Sequence, residues 1–273
     1  MPVERPLVSI VTVVLNGAPE IDRAITSVLG QTYAPLEYIV VDGGSTDGTL
    51  AIIRRYEDRL GPWLSEPDRG ISDAFNKGIR LARGRYVGLV NSDDWMSPDQ
   101  VARLVETLEQ TGADFAFGDL DYHAPDGRVV HRINGDPDYA RHLPRIMPNV
   151  NHPTMLVRRE VYQRVGGFSP DYHYAMDYDW LCRVHAEGFR GAYAPGAVGH
   201  MTLGGACDRH HLRARAEDRR IAVRHGLPVV QSWLLYGYRV VKGLGQRAVH
   251  RIAPEPAYHW LRRRINRSYE PYG

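Results

Sequence analysis

Residues 36–49 read LEYIVVDGGSTDGT. Leu36–Val41 is a short run rich in β-branched and aromatic residues with no sustained polar alternation, as in a strand buried on both faces. Asp42 closes the run. Gly43-Gly44-Ser45-Thr46-Asp47-Gly48 turns the chain, and Thr49–Tyr56 resumes with helical periodicity. Working outward, Leu7–Leu15 (LVSIVTVVL) is a second such strand, followed by a helix over Pro19–Leu29 with Pro19 near its first turn. Downstream, Pro62–Ser65 reads as a short strand and Ile71–Ala82 as a helix stopped at Gly84. Tyr86–Val90 is a strand ending at Asn91-Ser92-Asp93-Asp94, and Pro98–Gln110 is a helix. Repeated βα units predict an α/β fold with a doubly wound, Rossmann-like, mostly parallel sheet and right-handed crossovers. Ligands of such sheets sit beyond the carboxyl ends of the strands.

After Ala113 the pattern changes. Asp114–Tyr122 and Arg128–Ile133 are strand-like around a Pro125-Asp126-Gly127 turn, and Pro153–Val157 is a further strand. Arg158–Val165 is a short helix closed by Gly166-Gly167, and Asp177–Ala186 is another helix. Ala192–Val198 leads through Gly199 to His200, and from Arg209 the chain is helical and basic.

The 273 residues are 43% hydrophobic and 24% charged, ordinary for a soluble globular chain, and the net charge is +2. That charge is unevenly placed. Arg209–Arg267 holds 14 Lys/Arg against 3 Asp/Glu, whereas residues 1–208 hold 20 basic and 28 acidic residues. An acidic body with a basic tail points to an anionic surface as a partner of the tail. Cys182 and Cys207 lack the spacing of a metal knuckle or redox pair, so a reducing cytosol is the expected home. Leu7–Leu15 is not read as a secretory leader, because Glu4 precedes it and Asn16-Gly17 follows where a cleavage site would stand. No stretch is long and apolar enough to span a bilayer.

Chemistry concentrates at element ends. Asp42 ends one strand, Asn91-Ser92-Asp93-Asp94 ends another, and Asp177 and Asp179 open a helix. Adjacent carboxylates repel each other and call for a cation or donors to offset them. Hard oxygen ligands with few cysteines favour Mg²⁺ or Mn²⁺ over zinc.

The segments VSIVTVVLNG (8–17), VVDGGSTDGT (40–49), SEPDRGISDAFNKGI (65–79), GRYVGLVNSDDWMSP (84–98) and YAMDYDWLCRVHAEG (174–188) resemble, in order and spacing, the successive motifs of family 2 glycosyltransferases. The resemblance covers roughly residues 7–205. It implies the GT-A fold and an inverting, metal-assisted transfer of a sugar from a nucleoside diphosphate, UDP being the commonest carrier. It further implies a saccharide or lipid-linked saccharide acceptor in cell-surface polysaccharide or lipopolysaccharide synthesis. By position, Asp42 would hold the nucleobase and Arg69 the base or phosphate, with Asp73 and Asn76 in the same donor pocket. Asn91, Ser92 and Asp94 would contact the donor, and Asp93 would bind the metal, Mn²⁺ or Mg²⁺. Asp177 would be the catalytic base. His200 would join the metal and diphosphate, with Thr202-Leu203-Gly204-Gly205 as a closing loop. Two departures stand out: Asn91 replaces a frequent Asp, and Met176 replaces the Glu before the base.

The division implied is a catalytic domain over 1–207, with its donor-binding half about 1–112 and its acceptor-side half about 113–207. A helical basic C-terminal extension would cover 208–273. Two readings of Asn151-His152-Pro153 stand, acceptor wall or strand entry, and likewise for Tyr172, His173 and Tyr174, acceptor-facing aromatics or plain loop. In the tail, VVQSWLLYGYRVVKGL (229–244) and Trp260-Leu261-Arg262-Arg263-Arg264 mix aromatics with basic residues. That suits a helix lying on an anionic membrane surface, which would make the protein peripheral at the cytoplasmic face. The other reading is a helical cap with a solvated basic face. No nucleic-acid recognition module is visible.

A nucleotidyltransferase is an alternative enzyme class. It predicts a Gly-rich basic loop after the first strand, where this chain has Asn16-Gly17-Ala18-Pro19-Glu20 and no cationic side chain until Arg23. A dinucleotide oxidoreductase lacks its G-x-G-x-x-G at the same place. A non-catalytic nucleotide-binding relative is the remaining alternative, supported by the Asn91 and Met176 departures.

Overall fold

The computed structural model describes residues 5–205, 209–252 and 269–271. Four strands, β1 (Val8–Val14), β2 (Leu36–Asp42), β3 (Trp63–Ser65) and β4 (Tyr86–Asn91), lie parallel in the order β3-β2-β1-β4. Helices α1 (Ile21–Leu29), α2 (Thr49–Arg54) and α3 (Ile71–Leu81) make the crossovers, and α4 (Gln100–Thr111) follows β4 and the two-residue β5 (Trp95–Met96). All seven residues of β1 are buried, and its side chains divide between two cores as strand alternation requires. Val11 and Val13 pack with Ile39, Val41 and Phe75 on one face. Val8 and Ile10 pack with Tyr38, Val40, Ile25 and Leu104 on the other. The uninterrupted apolar run at 7–15 is thus a strand covered on both sides.

Beyond Asn91 the sheet becomes mixed. β8 (Met155–Arg158) runs antiparallel between β4 and β6 (Phe115–His123), and β7 (Val129–Ile133) is the hairpin partner of β6. β9 (Gly191–Thr202) lies parallel to β6 and pairs with β5, while β10 (Tyr269–Pro271) pairs with β7. The expected parallel character therefore holds for the first four strands. The direction first changes at β8, and the tight turn at Pro125-Asp126-Gly127 makes β6 and β7 antiparallel as well. The sequence reading did not include β5, β10 or the one-turn α5 (Tyr139–His142). β9 also runs past Gly199, so His200 is a strand residue opposite Trp95.

Helices α6 (Arg159–Val165), α7 (Met176–Ala186), α8 (His211–Arg224) and α9 (Val229–Ile252) complete the described chain. α8 is joined to the body: Ile221 is buried in the core that holds Trp180, Leu181 and Val184 of α7. Asp179, also buried, accepts hydrogen bonds from Arg183 Nε at 2.9 Å and from His225 Nε2 at 3.1 Å. Its expected place in the first turn of a helix is correct, but its carboxylate faces inward to tie α7 to α8. The Trp260–Arg264 part of the basic tail and Cys207 lie outside the described residues.

Candidate active site

An open cleft of about 1080 Å³ lies at the carboxyl ends of β1 and β4. Its walls bring together Asp68, Asn91, Ser92, Asp93 and Asp94 with His152, Asp177 and Asp218. α9 also enters it, through Leu235, Tyr238, Arg239 and Lys242. Residues 85 positions apart in the chain, Ser92 and Asp177, therefore share one solvent-filled space.

Asp94 is buried, and its carboxyl is pushed up to about 7 by desolvation and by the neighbouring Asp93 charge. Asn91 Nδ2 donates to Asp94 Oδ2 at 2.8 Å and approaches His152 Nε2 at 3.0 Å. With Asn91 donating, His152 Nε2 is the acceptor and its proton sits on Nδ1. That Nδ1 lies 3.6 Å from Asp177 Oδ2. A continuous polar path thus runs from Asp94 through Asn91 and His152 to Asp177. His152 belongs to a single 3-10 turn (His152–Thr154), with its ring edge against Phe75 at a centroid distance of 5.8 Å. The turn leads directly into β8 at Met155, so the segment is a strand entry, and Asn151, His152 and Pro153 also line the cleft.

Among the described residues, four buried side-chain atoms have no hydrogen-bond partner. Three of them, Asn91 Oδ1, Asp94 Oδ1 and Asn151 Nδ2, belong to residues lining this cleft. Orphaned polar atoms are costly, so their clustering marks a place built to receive polar ligand atoms.

Several sequence-derived site residues have other tasks. Asp42 is fully buried and is not among the residues lining the cleft. Its carboxylate accepts from Ser45 N at 3.1 Å, Ser45 Oγ at 2.5 Å and Ser65 Oγ at 2.6 Å, which fixes the turn after β2 and leaves few lone pairs for a base. The Arg69 side chain is 89% exposed, and its backbone N–H donates to Asp73 at 3.1 Å. Asp73 also faces Lys77 at 3.8 Å, and the Arg69 amide holds its carboxyl below the usual range. Asn76 exchanges two hydrogen bonds with the Phe168 backbone, at 2.9 and 2.8 Å, and so clamps the loop after α6. None of Arg69, Asp73 or Asn76 lines the cleft. Asp68 does, accepting from Gly70 N at 2.8 Å, and it stands in the same SEPDRG segment one position before the arginine singled out in sequence.

His200 also departs from expectation. Nε2 meets Ser97 Oγ at 2.8 Å and Nδ1 meets His123 Nε2 at 3.0 Å, so both ring nitrogens are engaged. The ring stacks on Trp95 at 5.2 Å, and burial pushes its pKa down to about 4. Arg23 covers the other partners of this cluster: it lies 3.5 Å over Trp95 and donates to the Asp93 carbonyl at 3.1 Å and to Thr202 Oγ1 at 3.2 Å. The His200 cluster therefore braces the loop carrying Asp93 from behind. Among the described residues no group of three His, Cys, Asp or Glu side chains is arranged to hold a metal. A cation shared with phosphates needs only one or two protein carboxylates, and exposed Asp93 beside the orphaned Asp94 Oδ1 fits that pattern.

Met176, which stands in place of an acidic residue, is a core side chain, and Ser72 Oγ points at its sulfur at 3.1 Å. Buried Asp218, also on the cleft wall, faces Arg239 at 3.1 Å and Arg215 at 3.4 Å. Burial raises its carboxyl pKa even against these cations.

Residues 9–166 match the sequence family described as "Glycosyl transferase family 2". The succinoglycan biosynthesis protein ExoO of Rhizobium meliloti is 36% identical over 157 residues, which is 57% of this chain and 44% of that protein. The chain thus spans less than half the length of that relative. Among solved structures, the mannosyltransferase PcManGT of Pyrobaculum calidifontis, in complex with GDP-Man and Mn²⁺, superposes with a TM-score of 0.65. It is 22% identical and covers 95% of this chain and 79% of its own. S. aureus TarS 1–349 in complex with UDP-GlcNAc superposes with a TM-score of 0.60 at 17% identity, covering 84% and 70%. The fold is the GT-A arrangement expected from the sequence, and the chain belongs to glycosyl transferase family 2.

Proposed function

We propose that this chain is an inverting glycosyltransferase of surface-polysaccharide synthesis. It moves a sugar from a nucleoside diphosphate, UDP by preference, to a hydroxyl of a saccharide or lipid-linked saccharide. The observation that carries this reading is the single cleft in which Asn91, Asp93 and Asp94 face Asp177 and His152, with three orphaned polar atoms around it. TarS with UDP-GlcNAc and PcManGT with GDP-Man share the fold, which supports a nucleotide-sugar donor.

The donor would enter over Ser92 and Asp68, placing its diphosphate near Asp93. A divalent cation, Mn²⁺ or Mg²⁺, would be held by Asp93 together with the phosphates and would neutralise charge on the leaving diphosphate. The acceptor hydroxyl oxygen attacks the anomeric carbon from the opposite side. Its proton passes to Asp177, the sugar–phosphate C–O bond breaks, and the electron pair leaves with the diphosphate. One displacement of this kind inverts the anomeric centre. Base assistance of this kind contributes roughly 10²–10⁴-fold. His152 Nδ1, 3.6 Å from Asp177 Oδ2, would help to orient that carboxylate toward the cleft, with Asn91 donating to Nε2 and so favouring the Nδ1–H tautomer. An Asn at 91 is thus the donor that the His152 Nε2 contact requires, and a carboxylate there would not supply it.

The same chain is proposed to sit peripherally on the cytoplasmic face of an anionic membrane. Val230, Trp233, Leu234, Tyr238 and Val241 form an exposed apolar stripe along α9 at helical spacing. Among the described residues no helix is long and apolar enough to cross a membrane. The face of α9 that lines the cleft is thereby brought to the lipid surface, where a lipid-linked acceptor would be found.

Asp177→Asn tests the catalytic reading. The expected result is nucleotide binding retained and sugar transfer lost. Transfer at the wild-type rate would remove Asp177 as the base.

A further inference from the structure

Helix α7 carries Asp177 in its first turn, where Asp177 Oδ1 accepts from Tyr178 N at 2.9 Å, but its N-cap residue offers no side-chain acceptor. Its N-cap position is Ala175, with no side-chain cap hydrogen bond, and Met176 opens the helix. The amides that a helix start leaves without partners have to find acceptors elsewhere. Here the N-cap amide and the two amides just ahead of it share one carboxylate. Glu217 of α8 accepts from His173 N at 3.0 Å, Tyr174 N at 2.7 Å and Ala175 N at 3.0 Å. Glu217 is buried, and its further charge contact, Arg220 Nη2 at 3.7 Å, lies one turn away on α8. His173 and Tyr174 line the cleft, and Asp177 follows Ala175 by two residues.

We propose that Glu217 is the positioning residue for Asp177. It caps α7 from another helix and sets the direction in which Asp177 enters the cleft. The inference rests on the reading of Asp177 as the base. Three charge-assisted hydrogen bonds to consecutive amides fix the backbone of residues 173–175 as a unit, and the negative charge suits the positive end of α7. Glu217 lies beyond roughly residue 205, where the motif series ends, so the catalytic geometry depends on a helix the series does not include. α8 is on this account part of the catalytic unit, and the boundary near residue 208 separates sequence styles, not functions.

The experiment compares Glu217→Ala, Glu217→Gln, Asp177→Asn and Ile221→Val in the full chain. The readouts are UDP-sugar turnover, UDP binding by calorimetry and amide hydrogen exchange. Ile221→Val loosens α8 packing without touching the cap. In Glu217→Ala, kcat is expected to fall at least about tenfold, because small misplacement of a catalytic group is costly. UDP affinity should stay within about twofold, since the donor wall is untouched, and amides 173–175 should lose protection. Glu217→Gln keeps an acceptor oxygen and should recover much of kcat; it is also the readout if the alanine variant does not fold. Ile221→Val should lower the melting temperature and leave kcat unchanged. Glu217→Ala with wild-type kcat beside an inactive Asp177→Asn overturns the positioning role and leaves the base reading intact. An Ile221→Val loss of kcat equal to that of Glu217→Ala reduces Glu217 to general stability and overturns it as well. Wild-type transfer by Asp177→Asn removes the base itself, and the proposal falls with it.

Discussion

His152 Nδ1 lies 3.6 Å from Asp177 Oδ2, while its Nε2 meets Asn91 Nδ2 at 3.0 Å. One imidazole therefore stands between the end of β4 and Asp177 in the cleft. Replacing His152 with Ala should lower kcat by roughly tenfold or more and leave UDP affinity within about twofold, because orientation of the base is lost and the donor wall is not. Initial rates and calorimetry on the same preparation check this. Equal kcat in the variant would mean that Asp177 is oriented without it.

Asp42 is expected to act through stability. Its carboxylate is fully buried and satisfied by Ser45 and Ser65. Asp42→Ala leaves those donors without a partner and should cost about 3 kcal/mol in urea unfolding. A loss below about 0.5 kcal/mol, within the range of ordinary surface substitutions, would show that the turn after β2 does not depend on it.

Acid sensitivity should trace to Asp179. Burial alone would raise its pKa, but hydrogen bonds from His225 and Arg183 outweigh that and hold it below the ordinary value. A depressed folded pKa contributes stability that is fully present above the unfolded value of about 3.9 and is lost as pH falls through the folded one. The Asp179→Asn variant should therefore be less stable than the wild type at pH 6, with the gap closing below about pH 4. Thermal melts across pH 3–6 measure it; a gap independent of pH would contradict the assignment.

The apolar stripe of α9 predicts lipid binding that point changes can remove. Deleting the whole tail would be a poor test, because Leu235, Tyr238 and Arg239 also line the cleft. Trp233→Ser with Leu234→Ser changes exposed side chains outside the cleft lining. The double variant should lose co-sedimentation with vesicles containing anionic lipid and keep UDP affinity. Undiminished sedimentation would refute the membrane reading of α9.

The strand ends were legible in the sequence because apolar runs closed by Asp42 and by Asn91-Ser92-Asp93-Asp94 carry their own period and punctuation. Side-chain direction was not. Asp42 and Asn76 stand where motif position puts donor contacts, yet one turns under its own loop and the other toward Phe168. Nothing in residue type separates a carboxylate that faces a ligand from one that caps a turn. The strand read from the sequence stops at Val198, before Gly199, whereas pairing with β5 extends it through His200. β5 itself is two residues long and too short to show a period. Glu217 and Asp218 looked like ordinary acids in a basic helix, and only tertiary packing brings them to α7 and the cleft.

The most direct test of the central claim is calorimetric titration of UDP into wild-type protein, with Mn²⁺ and again with EDTA, repeated on Asp93→Asn and Asp177→Asn. The expected result is binding that needs Mn²⁺, is retained in Asp177→Asn and is weakened at least about tenfold in Asp93→Asn, in keeping with loss of a charge-assisted contact. UDP bound equally with EDTA and in Asp93→Asn, or not bound at all, would contradict a metal-assisted nucleotide-sugar site at the end of β4.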